Sequence, residues 1–284
     1  MALSHRFLQA GEVRLHVAEC GDPQKPLALF LHGFPECWIA WRRQLPALAE
    51  AGFHAVAADL RGYGDSDRPR GVQSYSVQKL AADIAALIPA LGHERAHLIG
   101  HDWGGYVAWH VAMWHAQRID KLAVLNIPHP ARMLRGLRDP RQLRKSWYVF
   151  FFLLPLLPER ALADRGFRRV KNLFRYTAAR PDSYSEEDIA ETLRGLQQPY
   201  ALTAALNYYR AAALNLRSPR LEKITAPTLV LWGAKDRALG AELATPDPRW
   251  VPNARVEFLP DATHWVHADE PERVNERLVA FLRS

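Results

Sequence analysis

The sequence predicts an α/β fold in which a mostly parallel central sheet carries helices on both faces and is interrupted by a helical insertion. Short apolar runs alternate with helical patterns through residues 1–128. From about residue 129 to residue 215 the strand patterns stop, and helical segments rich in arginine, aromatic residues and alanine follow. The alternation then resumes, so residues 1–128 and 216–284 are predicted to form one core and residues 129–215 a cap.

The individual elements follow from the period of the apolar residues. Residues 13–20, VRLHVAEC, alternate in a half-buried pattern and predict part of an antiparallel edge. Strands and helices are then predicted in turn over residues 26–33, 41–52, 54–62, 76–92, 96–102, 103–115 and 121–127. After the insertion, strands are predicted over residues 227–233 and 255–260 and a helix over residues 270–282.

Composition narrows the function classes. The formal net charge is +7, and it is concentrated in residues 129–224, where 18 Lys and Arg stand against 9 Asp and Glu. Arginines recur every third residue from Arg132 to Arg144, which spreads the charge around a helix, and no nucleic-acid-binding motif accompanies them. We therefore predict a solvated basic surface and no nucleic-acid partner.

Membrane spans and secretion are also disfavoured. The apolar run at residues 147–158 is shorter than the roughly 20 residues that cross a bilayer, and two prolines interrupt it. We therefore predict that this run is a buried part of the cap and that the protein has no integral membrane association. Residues 1–17 lack an apolar signal core. Cys20 and Cys37 have neither metal-like nor CxxC spacing. These features predict a cytoplasmic protein; for the oligomeric state, a homodimer stays open.

The segment GHDWGG, residues 100–105, carries the strongest chemical signal. Its Gly-x-Asp-x-Gly pattern follows a predicted strand and opens a predicted helix, as in the nucleophile elbow of an α/β-hydrolase, but Asp102 stands where a serine hydrolase has its alcohol. Small residues around it let the backbone turn sharply. A structural aspartate that caps the helix is the alternative interpretation.

Two further strand ends supply partners for Asp102. Asp236 ends the strand in LVLWGAKD, and His264 follows the next one in LPDATHW. The chain order nucleophile, acid, histidine is that of the α/β-hydrolase triad. In FLHGFPE, residues 30–36, the backbone N–H of Phe34 is placed to form an oxyanion hole together with that of Trp103.

The segments HGFPE, DLRGYGDSDRP, GHDWGG, WGAKD and THW together resemble the motif set of the epoxide hydrolases of the α/β-hydrolase superfamily, and they cover residues 30–270. The resemblance implies an α/β-hydrolase fold with a helical cap, and two cap tyrosines that bind the epoxide oxygen. Tyr148 matches the first position and Tyr209 the second; Tyr208 is the alternative if the register is shifted by one.

The types of the candidate site residues are suited to a nucleophilic attack on a carbon atom. A carboxylate is already an anion at pH 7 and needs no base, so Asp102 can open an epoxide and become an ester. The phenols of Tyr148 and Tyr209 would donate protons to the developing alkoxide. His264, oriented by Asp236, would then activate water to hydrolyse the ester and release a vicinal diol. No cofactor or metal is expected. HERAH at residues 93–97 matches a zinc-binding pattern that requires a helix, but the predicted helix ends before this segment and a predicted strand begins within it, so we interpret the match as a coincidence.

Three alternatives stay open. Haloalkane and fluoroacetate dehalogenases also use an aspartate and a histidine-activated water, and Trp103 stands where haloalkane dehalogenases have a halide-binding tryptophan. A non-catalytic binding module is a further alternative.

The aromatic side chains at four positions are candidate substrate contacts, namely Trp38, Trp147, Phe151 and Trp265. They predict a small apolar epoxide as the substrate, with water as the second reactant.

Overall fold

The computed structural model describes residues 3–214 and 220–284. The strands are β1 (Ser4–Ala10), β2 (Val13–Cys20), β3 (Leu27–Leu31), β4 (His54–Ala58), β5 (Ala96–His101), β6 (Ile119–Leu125), β7 (Thr228–Gly233) and β8 (Ala254–Leu259). They form one sheet in the order β1-β2-β4-β3-β5-β6-β7-β8. All pairs from β4 to β8 are parallel. This is the α/β-hydrolase fold that the motifs predicted.

The antiparallel part of the sheet contains β2, as predicted, and one further strand that was not predicted. Strand β2 pairs antiparallel with both β1 and β4, and β1 forms the edge. The sequence SHRFLQA of β1 gave no clear strand signal because only its last residue is fully buried. An edge strand with mostly exposed side chains needs no apolar alternation to hold its register.

The helices of the core are α1 (Gln44–Glu50), α2 (Val77–Ala90), α3 (Asp102–Trp114), α10 (Val266–Asp269) and α11 (Pro271–Arg283). Helices α2 and α3 pack with Leu29 and Leu31 on one face of the sheet, whereas α1 and α11 pack with Ala28 and Phe30 on the other. Because successive strand residues face opposite sides and both sides are covered, β3 is apolar throughout.

The insertion between β6 and β7 is helical in the part of the chain that the structure describes. Its helices are α4 (Pro130–Gly136), α5 (Pro140–Lys145), α6 (Trp147–Phe152), α7 (Leu157–Thr177), α8 (Glu186–Leu196) and α9 (Ala201–Leu214). We call α4–α9 the cap. Helix α7 is interrupted at residues 164–167, where the backbone is not helical. The boundary predicted between residues 215 and 216 lies outside the described residues.

The run at residues 147–158 is not buried as the sequence analysis expected. Trp147, Phe150, Leu154, Leu156 and Leu157 are all exposed. The reason is geometric, because α6 is a single short helix and only one of its faces contacts α9 and the core. None of the helices within residues 3–214 and 220–284 is both long and apolar enough to cross a bilayer.

Candidate active site

Asp102 lies at the turn between β5 and α3. Its φ is +47°, in the left-handed region that a non-glycine residue adopts only where the surroundings enforce it. The surroundings are crowded backbone: a Cβ on Gly104 would lie 2.2 Å from the carbonyl oxygen of Leu31, and one on Gly100 would lie 2.6 Å from the carbonyl oxygen of Gly104. Glycines at these places allow the sharp turn that presents the Asp102 carboxylate at the carboxyl edge of the sheet.

The structure brings Asp102, His264 and Asp236 together. The Nδ1 atom of His264 lies 2.8 Å from Oδ2 of Asp236, and its Nε2 atom lies 3.6 Å from Oδ2 of Asp102. One imidazole thus bridges two carboxylates. The first contact is a hydrogen bond, and the second is an ion pair with room for movement.

Asp236 is held by more than the histidine. Its Oδ1 accepts from the backbone N–H groups of Ala238 (2.7 Å) and Leu239 (2.9 Å). The side-chain amide of Asn126 donates to its Oδ2 at 2.8 Å. Asn126, with φ +46°, follows β6 and accepts at the same time from the N–H of Gly233. The carboxylate that faces His264 is therefore fixed in place from three directions.

Each of the three groups stabilises the charged form of its neighbour and so shifts that neighbour's pKa. Burial lowers the pKa of His264, but the charge of Asp236 and the contact with Asp102 outweigh it, so this pKa lies well above the usual histidine value. Burial raises the pKa of Asp102 and of Asp236, yet His264 brings both below the ordinary aspartate value. At neutral pH the resting site holds an imidazolium between two carboxylates.

The two oxygens of Asp102 are not equivalent. The backbone N–H of Phe34 donates to Oδ1 at 3.0 Å, whereas Oδ2 faces His264. Trp103 follows Asp102 in the first turn of α3, where backbone N–H groups have no partner within the helix. The Phe34 contact of the predicted oxyanion hole is thus formed around one oxygen, while the other is directed to the open site.

A cavity of about 650 Å³ lies between the core and the cap above Asp102. Most of its lining is apolar. Asp102, His264 and two phenols line it, and so do the polar side chains of Lys145, Arg169, Thr177 and Arg237. The predicted residues that line it are Phe34, Asp102, Trp147, Tyr148, Phe151, Tyr209, His264 and Trp265. An apolar cavity with a few convergent polar groups has the general form of a small-molecule site.

Tyr148 and Tyr209 face this cavity from α6 and α9. Their ring centroids are 6.3 Å apart, and burial raises the pKa of both phenols. Within the described residues, neither hydroxyl donates a hydrogen bond to a protein acceptor, while the side chain of Trp103 hydrogen-bonds to the Tyr209 hydroxyl. Both phenols are thus protonated, and their protons are available to a ligand.

Tyr208, the alternative second tyrosine, faces the core instead. Its hydroxyl donates to the backbone carbonyl of Arg61 at 2.7 Å, and its ring lies against Tyr63 and Tyr75. Adjacent positions on a helix point about 100° apart. The register that places Tyr209 in the cavity therefore turns Tyr208 away from it.

Trp38 is a correction to the sequence analysis, because it does not line the cavity. Its indole N–H donates to Glu191 at 3.3 Å, and its ring lies edge-on to His5 in a separate groove. The chain turns after Pro35, and the backbone N–H of Trp38 is anchored on Asp59 at 2.7 Å. This anchor directs the ring to the β1 side of the sheet.

A buried network behind His264 was not predicted. The Nε2 atom of His101 lies 2.9 Å from the carbonyl oxygen of His264, which can only accept, so Nε2 carries a proton. Its Nδ1 lies 3.0 Å from Oε2 of Glu36. The other oxygen, Oε1, accepts from the hydroxyl of Tyr184 in the cap at 2.7 Å and lies 3.0 Å from His267 Nε2. Glu36 thus connects the loop that carries His264, through His101, to the cap.

The histidines around Glu36 stabilise the charged form of its carboxylate. Burial raises the pKa of Glu36, but His267 and His101 hold it well below its usual value. Glu36 is then an acceptor at both oxygens, and both nitrogens of His101 face acceptors. His101 also contributes to the low pKa of Asp102.

The same three side chains are the candidate for metal ligation. Among the residues that the structure describes, Glu36, His101 and His267 form a group whose ligand atoms all lie within 4.8 Å of one another. These residue types bind zinc. Here both oxygens of Glu36 and both nitrogens of His101 are engaged in hydrogen bonds, and Nδ1 of His267 has no partner. The arrangement is that of a hydrogen-bonded network.

Comparison with known proteins agrees with this geometry. A family model described as the alpha/beta hydrolase fold matches residues 26–271. The chain is 37% identical over 281 residues to the AB hydrolase superfamily protein YfhM of Bacillus subtilis, covering 98% of each chain. It is 38% identical over 279 residues to Epoxide hydrolase 4 of Mus musculus, covering 95% of this chain and 77% of that relative. The crystal structure of Bacillus megaterium epoxide hydrolase in complex with an inhibitor is similar with a TM-score of 0.87 at 29% identity, covering 98% of this chain and 100% of that one. The chain therefore belongs to the α/β-hydrolase fold family, in its epoxide hydrolase branch.

Proposed function

We propose that this protein hydrolyses an epoxide to a vicinal diol through an ester on Asp102. The observation that carries the proposal is that one apolar cavity contains a carboxylate, a histidine paired with a second carboxylate, and two phenols with available protons. The carboxylate supplies a nucleophile and the phenols supply acids. Relatives that bear the name epoxide hydrolase support the same assignment.

In the first stage Oδ2 of Asp102 attacks a ring carbon of the epoxide. The carbon–oxygen bond of the ring breaks, and the leaving oxygen takes a proton from Tyr148 or Tyr209. Oδ2 is the attacking atom because the N–H of Phe34 already engages Oδ1. The products of this stage are an alkyl ester on Asp102 and a tyrosinate.

In the second stage His264 takes a proton from water, and the resulting hydroxide attacks the ester carbonyl. The tetrahedral oxyanion forms at Oδ1, where the backbone N–H groups of Phe34 and Trp103 stabilise it. The intermediate collapses by breaking the carbonyl–Oδ2 bond, and His264 returns its proton to the departing alcohol. The tyrosinate has by then taken the proton that His264 carried in the resting site, so the proton left on Asp102 passes to His264 and restores the imidazolium. The reaction is balanced as epoxide plus water to diol.

The change of charge on Asp102 controls when His264 acts as a base. Before the reaction, two carboxylates keep the pKa of His264 high and the imidazole protonated. The ester carries no charge, so one of the two groups that raise this pKa is lost. The imidazolium can then give its proton to the tyrosinate, which leaves a neutral base for water.

The test is diol formation by the purified protein from a panel of aryl and alkyl epoxides. Halide release from chloroalkanes, bromoalkanes and fluoroacetate is measured in parallel, with Asp102→Ala as the blank. We expect diol that disappears in the variant and no halide. Halide without diol would assign the protein to the dehalogenases and leave the tyrosines as packing residues.

A cytoplasmic location stays a prediction of the sequence, and a homodimer stays open. Cell fractionation tests the first. Light scattering on the purified protein tests the second.

A further inference from the structure

The cap carries an exposed apolar surface at α6 and the turn after it. We call it the cap apex and define it as Trp147, Phe150, Leu154, Leu156 and Leu157, which are 45% to 65% exposed. Phe150, Leu154, Leu156 and Leu157 do not line the cavity, whereas Trp147 is exposed and also lines it. Contiguous exposed aromatic and leucine side chains of this kind mark an interaction site.

The segment around the cap apex also carries the charge of the protein. Residues 141–176 contain nine Lys and Arg but two Asp and Glu, a net charge of +7, which equals the formal net charge of the complete chain. The remaining residues are therefore neutral in sum. Within residues 3–214 and 220–284, several exposed cations of this segment take part in no ion pair, namely Arg141, Arg144, Lys145, Arg160 and Arg168.

The cap apex lies beside the opening of the active-site cavity. Trp147 belongs to both, and the exposed side chains of Lys145, Arg169 and Arg237 also line the cavity. The α6 neighbours Tyr148 and Phe152 point inward to Tyr209. One short helix thus has an outer apolar face and an inner face that forms the wall of the site.

We propose that the cap apex docks on the surface of an anionic phospholipid bilayer, with its apolar side chains in the interface and the surrounding cations on the lipid phosphates. Tryptophan, phenylalanine and leucine enter the acyl boundary, and unpaired Lys and Arg are attracted by anionic headgroups. The cavity would then open toward the lipid, where apolar small molecules concentrate.

The charge distribution argues against a second copy of the chain as the occupant. A symmetric dimer through the cap apex would bring together two copies of the basic segment 141–176, each with a formal charge of +7, and like charges at an interface are unfavourable. An anionic lipid surface complements the same charge. The proposal does not depend on the chemistry assigned to Asp102.

The test is co-sedimentation of the purified full-length protein with vesicles of phosphatidylcholine alone or mixed with phosphatidylglycerol, at low and at high salt. We expect binding to the anionic vesicles that weakens at high salt and little binding to neutral ones. Failure to bind anionic vesicles at low salt would overturn the proposal. Because no turnover is measured, this result is independent of any failure to form diol.

Two matched pairs of variants locate the surface. Phe150→Ser with Leu154→Ser and Leu156→Ser removes apolar side chains that do not line the cavity, and Leu3→Ser with Phe258→Ser removes exposed ones elsewhere. We expect the first variant to lose vesicle binding and the second to keep it. Equal binding by both would contradict the proposal.

For charge, Arg144→Gln with Arg168→Gln is compared with Lys25→Gln and Lys223→Gln. The cap variant should lose about fivefold in affinity for each charge removed, and the control should lose little. Equal losses in both would overturn the assignment to the cap apex. Circular dichroism establishes that each variant is folded. Light scattering establishes whether the variant with serines in the cap apex changes the oligomeric state. A change of that state without a loss of vesicle binding would also overturn the proposal.

Discussion

The functional asymmetry of this site begins within a single carboxylate. One oxygen of Asp102 accepts from the N–H of Phe34, and the other faces His264 across 3.6 Å. The φ of +47° at Asp102 directs the side chain to this position. A serine at this position would need His264 to remove its proton, whereas the aspartate leaves His264 free for the water.

Replacing either cavity tyrosine should slow the first stage. Tyr148→Phe and Tyr209→Phe each remove one proton donor from the leaving oxygen, and we expect kcat/KM for an epoxide to fall roughly a hundredfold. Tyr208→Phe is the matched control on the same helix as Tyr209. It removes the hydrogen bond to the carbonyl of Arg61, so it should lower stability by about 1–3 kcal/mol and leave the rate nearly unchanged.

Those measurements are steady-state kinetics and urea unfolding on the three variants. A rate loss in Tyr208→Phe equal to that in Tyr209→Phe would show that packing, not proton donation, explains the effect.

Removing the charge of Asp102 should lower the pKa of His264. In Asp102→Asn, the imidazole keeps its contact with the Asp236 carboxylate and loses the charge at position 102, as in the ester intermediate. NMR titration of the His264 ring measures this pKa directly. An unchanged value would contradict the charge-controlled switch between acid and base.

The sign of the accompanying stability change follows from the same shift. A pKa raised by folding contributes stability below the unfolded-state value near 6.5, and this contribution is lost as pH rises through the folded-state pKa. The contribution should therefore be smaller in Asp102→Asn, and its loss should be complete at a lower pH than in the unmodified protein.

The turn between β5 and α3 depends on close packing against β3. Gly104 leaves no space for a methyl group beside the carbonyl of Leu31. Patterning predicted this strand–turn–helix and the other buried strands well, because β3, β4 and β5 are covered on both faces, are buried throughout and contain mostly apolar residues. It missed β1, whose side chains are mostly exposed.

Gly104→Ala should destabilise the protein by about 1–3 kcal/mol, since neither backbone can move easily. Gly136→Ala is the control, because its Cβ would meet the side-chain methyl groups of Leu243 at 2.9 Å, which can rotate. Chemical unfolding of both variants measures the difference. Equal stability would show that the turn has more space than the structure indicates.

The sequence could identify site residues that stand at strand ends inside short motifs, but not those whose role depends on distant contacts. Asp102, Asp236 and His264 belong to the first kind. Glu36 lies within the quoted HGFPE motif, yet its importance appears only when His101, His267 and Tyr184 are placed around it. Trp38 was misplaced because sequence distance from Phe34 gives no direction for a side chain after a turn.

The cap and the core are joined by polar contacts that cross between distant parts of the chain. Tyr184 donates to Glu36, Tyr208 donates to the carbonyl of Arg61, and Arg194 makes a bidentate ion pair with Asp65. The first two contacts are buried and the third is exposed. The cavity walls from the cap are thus fixed relative to Asp102 in the core.

Loss of a buried contact should cost more than loss of the exposed one. Tyr184→Phe removes one of the donors to the Glu36 carboxylate, and we expect a loss of about 1–3 kcal/mol in unfolding free energy. Arg194→Ala should cost less than about 1 kcal/mol, because exposed ion pairs contribute little. Urea unfolding compares them, and the reverse order would contradict this account of how the cap is held.

The most direct test of the proposed reaction is the origin of the new oxygen in the diol. The experiment uses enzyme in excess over an epoxide in ¹⁸O-labelled water. An ester on Asp102 predicts that the first turnover gives unlabelled diol and places the label in the Asp102 carboxylate. Mass spectrometry of the product and of the Asp102 peptide detects where the label is. Label in the diol at the first turnover, with none on Asp102, would show that water attacks the epoxide directly and would contradict the covalent mechanism.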